Sequence, residues 1–206
     1  MSAIRKLKHG YLKFYKKFFQ SKYNVYDELK DSQKPKTLVI SCCDSRVDPA
    51  IIMNTNPGDI FVVRNIANLV PIYQPDSTYH GTSSSIEYAV KNLKVENIIV
   101  MGHSNCGGID ALLKSDKPEG SDFIHKWIFM AKSAKEKLPE HLPHNKKRCL
   151  CEKESIKISL NNLMTFPFVK EAVEKGELKI HGWYFKVNTG SLFILNKEKD
   201  IFIKFS

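Results

Sequence analysis

Residues 37–46 read Thr37-Leu38-Val39-Ile40-Ser41-Cys42-Cys43-Asp44-Ser45-Arg46. Thr37 to Ser41 is a β-branched and apolar run without polar alternation, the pattern of a strand buried on both faces. Such strands belong to parallel sheets covered by helices. Two further runs, Asp59 to Arg64 and Asn97-Ile98-Ile99-Val100-Met101, have the same character. Between them Ile86, Ala89, Val90 and Leu93 give Ser84 to Leu93 a helical spacing. Strands and helices that alternate in this way predict an α/β domain.

Toward the C-terminus, residues 121–175 read as mostly helical, with Phe123, Trp127, Met130 and Ala131 on one face and breaks at Leu138-Pro139 and His141-Leu142-Pro143. Leu178 to Val187 and Ser191 to Leu195, joined by Asn188-Thr189-Gly190, read as a hairpin. Toward the N-terminus, Ile4, Leu7, Tyr11, Phe14 and Phe18 step by helical intervals with lysines between them. That stripe reads as a surface for packing on protein, whether its own chain or another subunit, rather than on a membrane. The expected fold is α/β, with a mostly parallel central sheet flanked by helices, an N-terminal amphipathic helix and a C-terminal hairpin. With no repeat or Pro/Gly-rich linker, residues 1–206 are expected to form one domain, of which 1–32 are a helical arm.

The chain has 206 residues and a formal net charge of +10, with 42% apolar residues. That composition excludes collagen-like, coiled-coil and disordered classes. The charge is uneven: 10 basic and 3 acidic residues in 1–36, 4 and 7 in 37–111, and 18 and 12 in 112–206. The middle segment is locally acidic, which argues against a nucleic-acid groove there. No apolar run approaches the ~18 residues of a membrane span, and the lysine-rich start has no secretory pattern, so a cytoplasmic protein without membrane attachment is expected. Five cysteines at irregular spacing do not form a disulfide framework.

Cys42 stands where the first buried strand ends, and His103 and Cys106 stand where another ends. Ligands in open α/β sheets gather outside the carboxyl ends of strands, so these three side chains are expected to share one site. Two thiolates and an imidazole suit one Zn²⁺ per chain, and three protein ligands leave a fourth position for water. Cys43 is expected to face away from Cys42, as adjacent residues of a strand do. Cys149 and Cys151 have no His or Asp at ligand spacing and read as an exposed or half-buried pair. The other histidines likewise lack ligand partners at useful spacing.

Cys42 to Arg46 as Cys-x-Asp-Ser-Arg, together with His103 to Gly108 as His-x-x-Cys-Gly-Gly, resembles the β-class carbonic anhydrases. Pro57-Gly58-Asp59, Val63 to Asn68, Ser85 to Val90 and His181-Gly182-Trp183 extend the resemblance over about residues 33–195. It implies reversible hydration of carbon dioxide to bicarbonate and a proton by a zinc-bound hydroxide, and a homodimer or dimer of dimers in which the N-terminal helix reaches over the partner. Asp44 would orient the nucleophile and Arg46 would hold Asp44 ionised. Val39 and Ser41 stand where self-closing members carry Trp and Gly, so the resemblance is to the open, plant-like subgroup. Gln33, Phe61 and Tyr88 match its substrate-pocket positions, Ile66 would add to the apolar wall, and the Gly107 N–H would donate to a substrate oxygen. Because two thiolates offset the charge of the ion, the bound water is expected to titrate above the ~7 of a three-histidine site, with activity rising with pH.

Two other readings fit part of this pattern. A related zinc hydrolase acting on carbonyl sulfide or carbon disulfide would use the same ligands with a different pocket. A non-catalytic zinc module binding nucleic acid through the basic flanks would show a saturated metal shell and salt-dependent affinity. The acidic middle segment and the Asp44, Arg46 pair oppose the latter.

Overall fold

Three nearly continuous apolar runs must be covered on both faces, and the architecture follows from that requirement. The computed structural model describes residues 1–20, 24–115 and 121–205. Its strands are β1 (Thr37–Cys42), β2 (Ile60–Asn65), β3 (Asn97–His103), β4 (Lys179–Lys186), β5 (Ser191–Asn196) and β6 (Ile201–Lys204). They form one sheet in the order β2-β1-β3-β4-β5-β6. The first four are parallel and the last two join antiparallel.

The helices are α1 (Ala3–Phe19), α2 (Val25–Leu29), α3 (Pro49–Ile52), α4 (Gly81–Glu87), α5 (Gly107–Lys114), α6 (Ile124–Ile128), α7 (Lys132–Glu136), α8 (His144–Leu163) and α9 (Pro167–Glu174). On one face of the sheet Leu38, Ile40, Ile98 and Val100 pack against Ile156, Leu160 and Leu163 of α8 and against Ile86 and Val169. On the other face Val39, Ile99 and Met101 pack with Ile52, Met53 and Trp183. Each fully buried side chain of this kind is worth about 1.5–3 kcal/mol.

Two glycines let α8 lie close to the sheet. A Cβ at Gly102 would stand 2.8 Å from Ile156 Cδ1, and one at Gly182 would stand 3.0 Å from Leu160 Cδ1. This close approach brings the N-terminal turns of α8 over the carboxyl end of β3.

Three expectations need amendment. The hairpin gains a third strand, β6, a four-residue edge after the turn at 197–200. The helix around Ser84 to Leu93 is α only to Glu87 and continues as a π turn over Tyr88–Asn92. Cys151 is fully buried on α8, whereas Cys149 is half-buried. Burial pushes the Cys151 thiol up to about 12, so it packs rather than reacts.

Helix α1 forms as its periodicity predicts, yet none of its residues is buried. Phe14, Phe18 and Phe19 cluster with Tyr26 of α2. Ile4, Leu7 and Tyr11 remain 60–69% exposed. Among the described residues no helix is long and apolar enough to cross a membrane.

Candidate metal centre

Strands β1 and β3 are neighbours in register, with Ser41 opposite Met101, so their carboxyl ends lie side by side. Cys42 is the last residue of β1, His103 the last of β3, and Cys106 the N-cap of α5. All three are buried. Their ligand atoms lie within 4.8 Å of one another, and the two Sγ atoms are 4.0 Å apart. Two sulfurs on a tetrahedral zinc, each about 2.3 Å from the metal, stand roughly 3.8 Å apart, so the pair fits that ion.

The imidazole is set for the same role. His103 Nδ1 lies 2.9 Å from the Ser104 carbonyl, an acceptor, so that nitrogen carries the hydrogen. The lone pair of Nε2 then points into the cluster, where this buried atom has no hydrogen-bond partner among the described residues. The thiols also call for a cation. A hydrogen bond from the Cys106 thiol pulls the Cys42 thiol well down from its ordinary value, and the same pairing, with burial, pushes Cys106 up. One proton is shared between two buried sulfurs, and a divalent ion would replace it.

The loops around the cluster are tied from several directions. Arg64, on β2, donates from Nε to the Cys42 carbonyl at 2.9 Å and from Nη2 to the Asp44 carbonyl at 2.8 Å. Its Nη1 reaches Asp48 Oδ2 at 2.8 Å. The Asn65 side chain staples the following turn, donating to the Leu69 carbonyl and accepting from the Leu69 N–H. Within that turn Ala67 takes φ +63°, a left-handed conformation that costs about 1–2 kcal/mol for a residue with a Cβ.

Asp44 lies beside the cluster, its Oδ2 3.9 Å from His103 Nε2. Arg46 donates to it three times: from its backbone N–H to Oδ1 at 3.0 Å, from Nε to Oδ1 at 2.9 Å and from Nη2 to Oδ2 at 2.6 Å. These bonds hold the Asp44 carboxyl well below the usual carboxylate range. The side chain is therefore an acceptor at any pH near neutrality.

Of the other residues picked out in the sequence, Ile66 and Gly107 stand at this end of the sheet. Gly107 is the exposed first residue of α5. Ile66 lies over Gly108, where an added Cβ would be 2.7 Å from Ile66 Cγ2. Ile66 also borders an open cleft of about 540 Å³ walled by Phe123, Ile124, Trp127 and Met130. The Trp127 indole donates to the Ile66 carbonyl at 2.7 Å.

Gln33, Phe61 and Tyr88 stand elsewhere. Phe61 is opposite Leu38, four residues before Cys42 along the sheet, which at ~3.3 Å per residue is about 13 Å away. Tyr88 packs on Phe61 with ring centroids 5.9 Å apart. Gln33 is exposed in the connection that enters β1 at its amino end. Within one chain these three do not line the cluster.

The structure adds four residues that the sequence did not single out for the site: Arg64, Asn105, Arg148 and Glu152. Glu152 is buried on α8, accepting from the Cys106 N–H at 3.0 Å and from the Tyr184 hydroxyl at 2.7 Å. Arg148 and Glu152 are four apart in a lysine-rich helix, a pattern that in sequence looks like a solvated face.

A family model described as carbonic anhydrase matches residues 37–192. Two Arabidopsis thaliana proteins are similar to the chain: beta carbonic anhydrase 6, mitochondrial, at 41% identity over 92% of this chain, and beta carbonic anhydrase 5, chloroplastic, at 43% over 87%. The chain spans only 66% and 60% of their lengths. Both names place those proteins in organelles. Among solved structures, the β-carbonic anhydrase CcaA superposes with a TM-score of 0.91 at 30% identity, covering 98% of this chain and 100% of that one. With the matched model spanning both ligand-bearing strand ends, and those relatives agreeing across nearly the whole chain, this protein belongs to the β-class carbonic anhydrase family.

Proposed function

We propose that the protein catalyses the reversible hydration of carbon dioxide to bicarbonate and a proton, with one Zn²⁺ held by Cys42, His103 and Cys106. The observation that carries this reading is the placement of an Asp44 carboxylate, locked by Arg46, 3.9 Å from the unpartnered Nε2 of a buried Cys, His, Cys cluster. Zinc bound there would supply Lewis acidity that makes water nucleophilic near neutral pH.

The protein groups then divide the remaining work. Asp44, held ionised, can only accept, so it takes a hydrogen bond from the attacking oxygen and fixes its direction. Arg46 occupies both carboxylate oxygens and keeps Asp44 from turning elsewhere, which accords with the open subgroup. The Gly107 N–H, at the first turn of α5, donates to a substrate oxygen. The apolar cleft beside Ile66 suits a substrate without a dipole. Gln33, Phe61 and Tyr88 act only if a second copy brings its sheet end to this one. The exposed stripe of Ile4, Leu7 and Tyr11 on α1 is the surface that a homodimer would cover.

Stopped-flow CO₂ hydration on protein with assayed zinc tests the proposal. A rate that scales with zinc content supports it. Zinc-replete protein that is inactive on CO₂ across pH overturns it, and hydrolysis of carbonyl sulfide by the same sample would identify the alternative substrate.

A further inference from the structure

The loop between His103 and Cys106 is held from α8 as well as from the sheet. Asn105 lies at its centre with φ +59°, a left-handed conformation that Asn tolerates better than most residues. Its two polar ends face in different directions. The carbonyl accepts from Arg46 Nη2 at 3.1 Å, and the side-chain Oδ1 accepts from Arg148 Nη2.

Arg148 makes further contacts around the same loop. Its Nη1 is 3.5 Å from Oδ1 of Asp110, in the first turn of α5, and its Nε is 3.8 Å from Oε1 of Glu152. The same Glu152 oxygen accepts the Cys106 N–H. One guanidinium therefore touches Asn105, the helix that follows Cys106, and the carboxylate beneath Cys106. Arg148 itself touches neither the ligand cluster nor Asp44 directly.

The bonds form a line from α8 to the dyad: Arg148 to Asn105, Asn105 to Arg46, and Arg46 to Asp44. Arg46 Nη2 is shared between the Asn105 carbonyl and Asp44 Oδ2, so moving the carbonyl moves the guanidinium. We infer that Arg148 is a positioning residue for the Asp44, Arg46 pair: by anchoring the Asn105 side chain it fixes the carbonyl that orients Arg46. This inference rests on the proposed function for its kinetic consequence, but not for its structural one.

Two substitutions break the same bond, between Arg148 and Asn105, from its two ends. Arg148→Met removes the donor. Asn105→Gly keeps the left-handed backbone accessible and removes only the side-chain acceptor. In zinc-loaded, full-length protein each is expected to retain one zinc per chain and to lower kcat about tenfold to a hundredfold, with KM little changed. The double variant is expected to be no worse than the poorer single one, because both act on one path. Arg148→Lys, a cation without the planar fork, is expected to recover only part of the loss.

The readout that does not depend on activity is solvent exchange of the Arg46 Nε–H by ¹⁵N NMR, expected to accelerate to a similar degree in both single variants. Wild-type Arg46 exchange in Arg148→Met, or losses that multiply in the double variant, would overturn the inference. If Arg148→Met does not fold, Asn105→Gly and Arg148→Lys still decide the question through Arg46 exchange. If the wild-type enzyme shows no CO₂ hydration, the functional reading fails while the exchange measurement still tests the positioning role.

Discussion

The Asp44 carboxylate and the Arg46 guanidinium meet edge to edge, Nε to Oδ1 at 2.9 Å and Nη2 to Oδ2 at 2.6 Å, while Asp44 Oδ2 also stands 3.9 Å from His103 Nε2. A carboxylate so placed has one orientation and one charge state. Asp44→Asn should keep zinc and lose about a hundredfold or more in kcat. Arg46→Met should let the Asp44 carboxylate turn away from its fixed orientation, so kcat falls while the pH profile between about pH 5 and 9, which lies above the ordinary Asp value near 4, keeps its shape. Stopped-flow rates from about pH 5 to 9 check both. Full activity in Asp44→Asn would remove the orienting role.

Removing the metal should cost stability as well as activity. Without the ion, two buried sulfurs stand 4.0 Å apart in a thiol hydrogen bond, and the buried Nε2 of His103 has no hydrogen-bond partner among the described residues. Metal bound only by the folded chain stabilises it by about 4 kcal/mol when free zinc is a thousandfold above Kd. Chelation should therefore lower the melting temperature, and added zinc should restore it. In Cys42→Ser and His103→Ala, which should lose zinc and activity together, chelator should have little further effect.

How far the sequence foretold this site depended on which contacts are local. The run Thr37 to Ser41 declared a buried strand because every residue in it is apolar or small, and the strand-end positions of Cys42, His103 and Cys106 followed from that. The placement of Phe61 could not be read the same way. It shares a strand with Arg64 and Asn65, yet three or four residues of rise carry it to the far part of the sheet, and a register is invisible in one strand alone. Arg148 and Glu152 escaped notice because their partners lie 43 and 46 residues earlier. The strand β6 escaped because four residues, only one of them turned inward to pack, give too short a pattern to judge.

Two glycines, Gly102 near the end of β3 and Gly108 in the first turn of α5, should fail in different ways when given a methyl group. Gly102→Ala drives a Cβ to 2.8 Å from Ile156 Cδ1 and 2.9 Å from Cγ1, at the seam between β3 and α8. Overpacking of this kind costs about 1–3 kcal/mol, read as a lower urea midpoint. Gly108→Ala meets Ile66 Cγ2 at 2.7 Å and the Ala67 Cβ at 3.1 Å, and Ala67 is already held in its left-handed turn. Ile66 must give way, so here the rate should fall more than the stability does. Equal losses of stability with an unchanged rate in Gly108→Ala would show that Ile66 does not border the substrate's path.

Acid should weaken one clamp on α5 in a defined window. Asp110 accepts from Lys114 at 2.6 Å and lies 2.7 Å from His144 Nε2, and these contacts, Lys114 first, lower its carboxyl from 3.8 to about 2. A carboxyl whose folded value is depressed contributes stability that is complete above its unfolded value and is lost as pH falls through the folded one. The contribution of Asp110 is thus present at pH 7, starts to decline below about 4 and is gone below about 2. The pair is partly exposed and solvent screens it, so Asp110→Asn should cost no more than about 1 kcal/mol at pH 7. Urea midpoints of the metal-free wild type and variant should begin to converge below about pH 4 and meet near pH 2. A gap that persists unchanged near pH 2 would mean that Asp110 supports α5 through packing rather than through its charge.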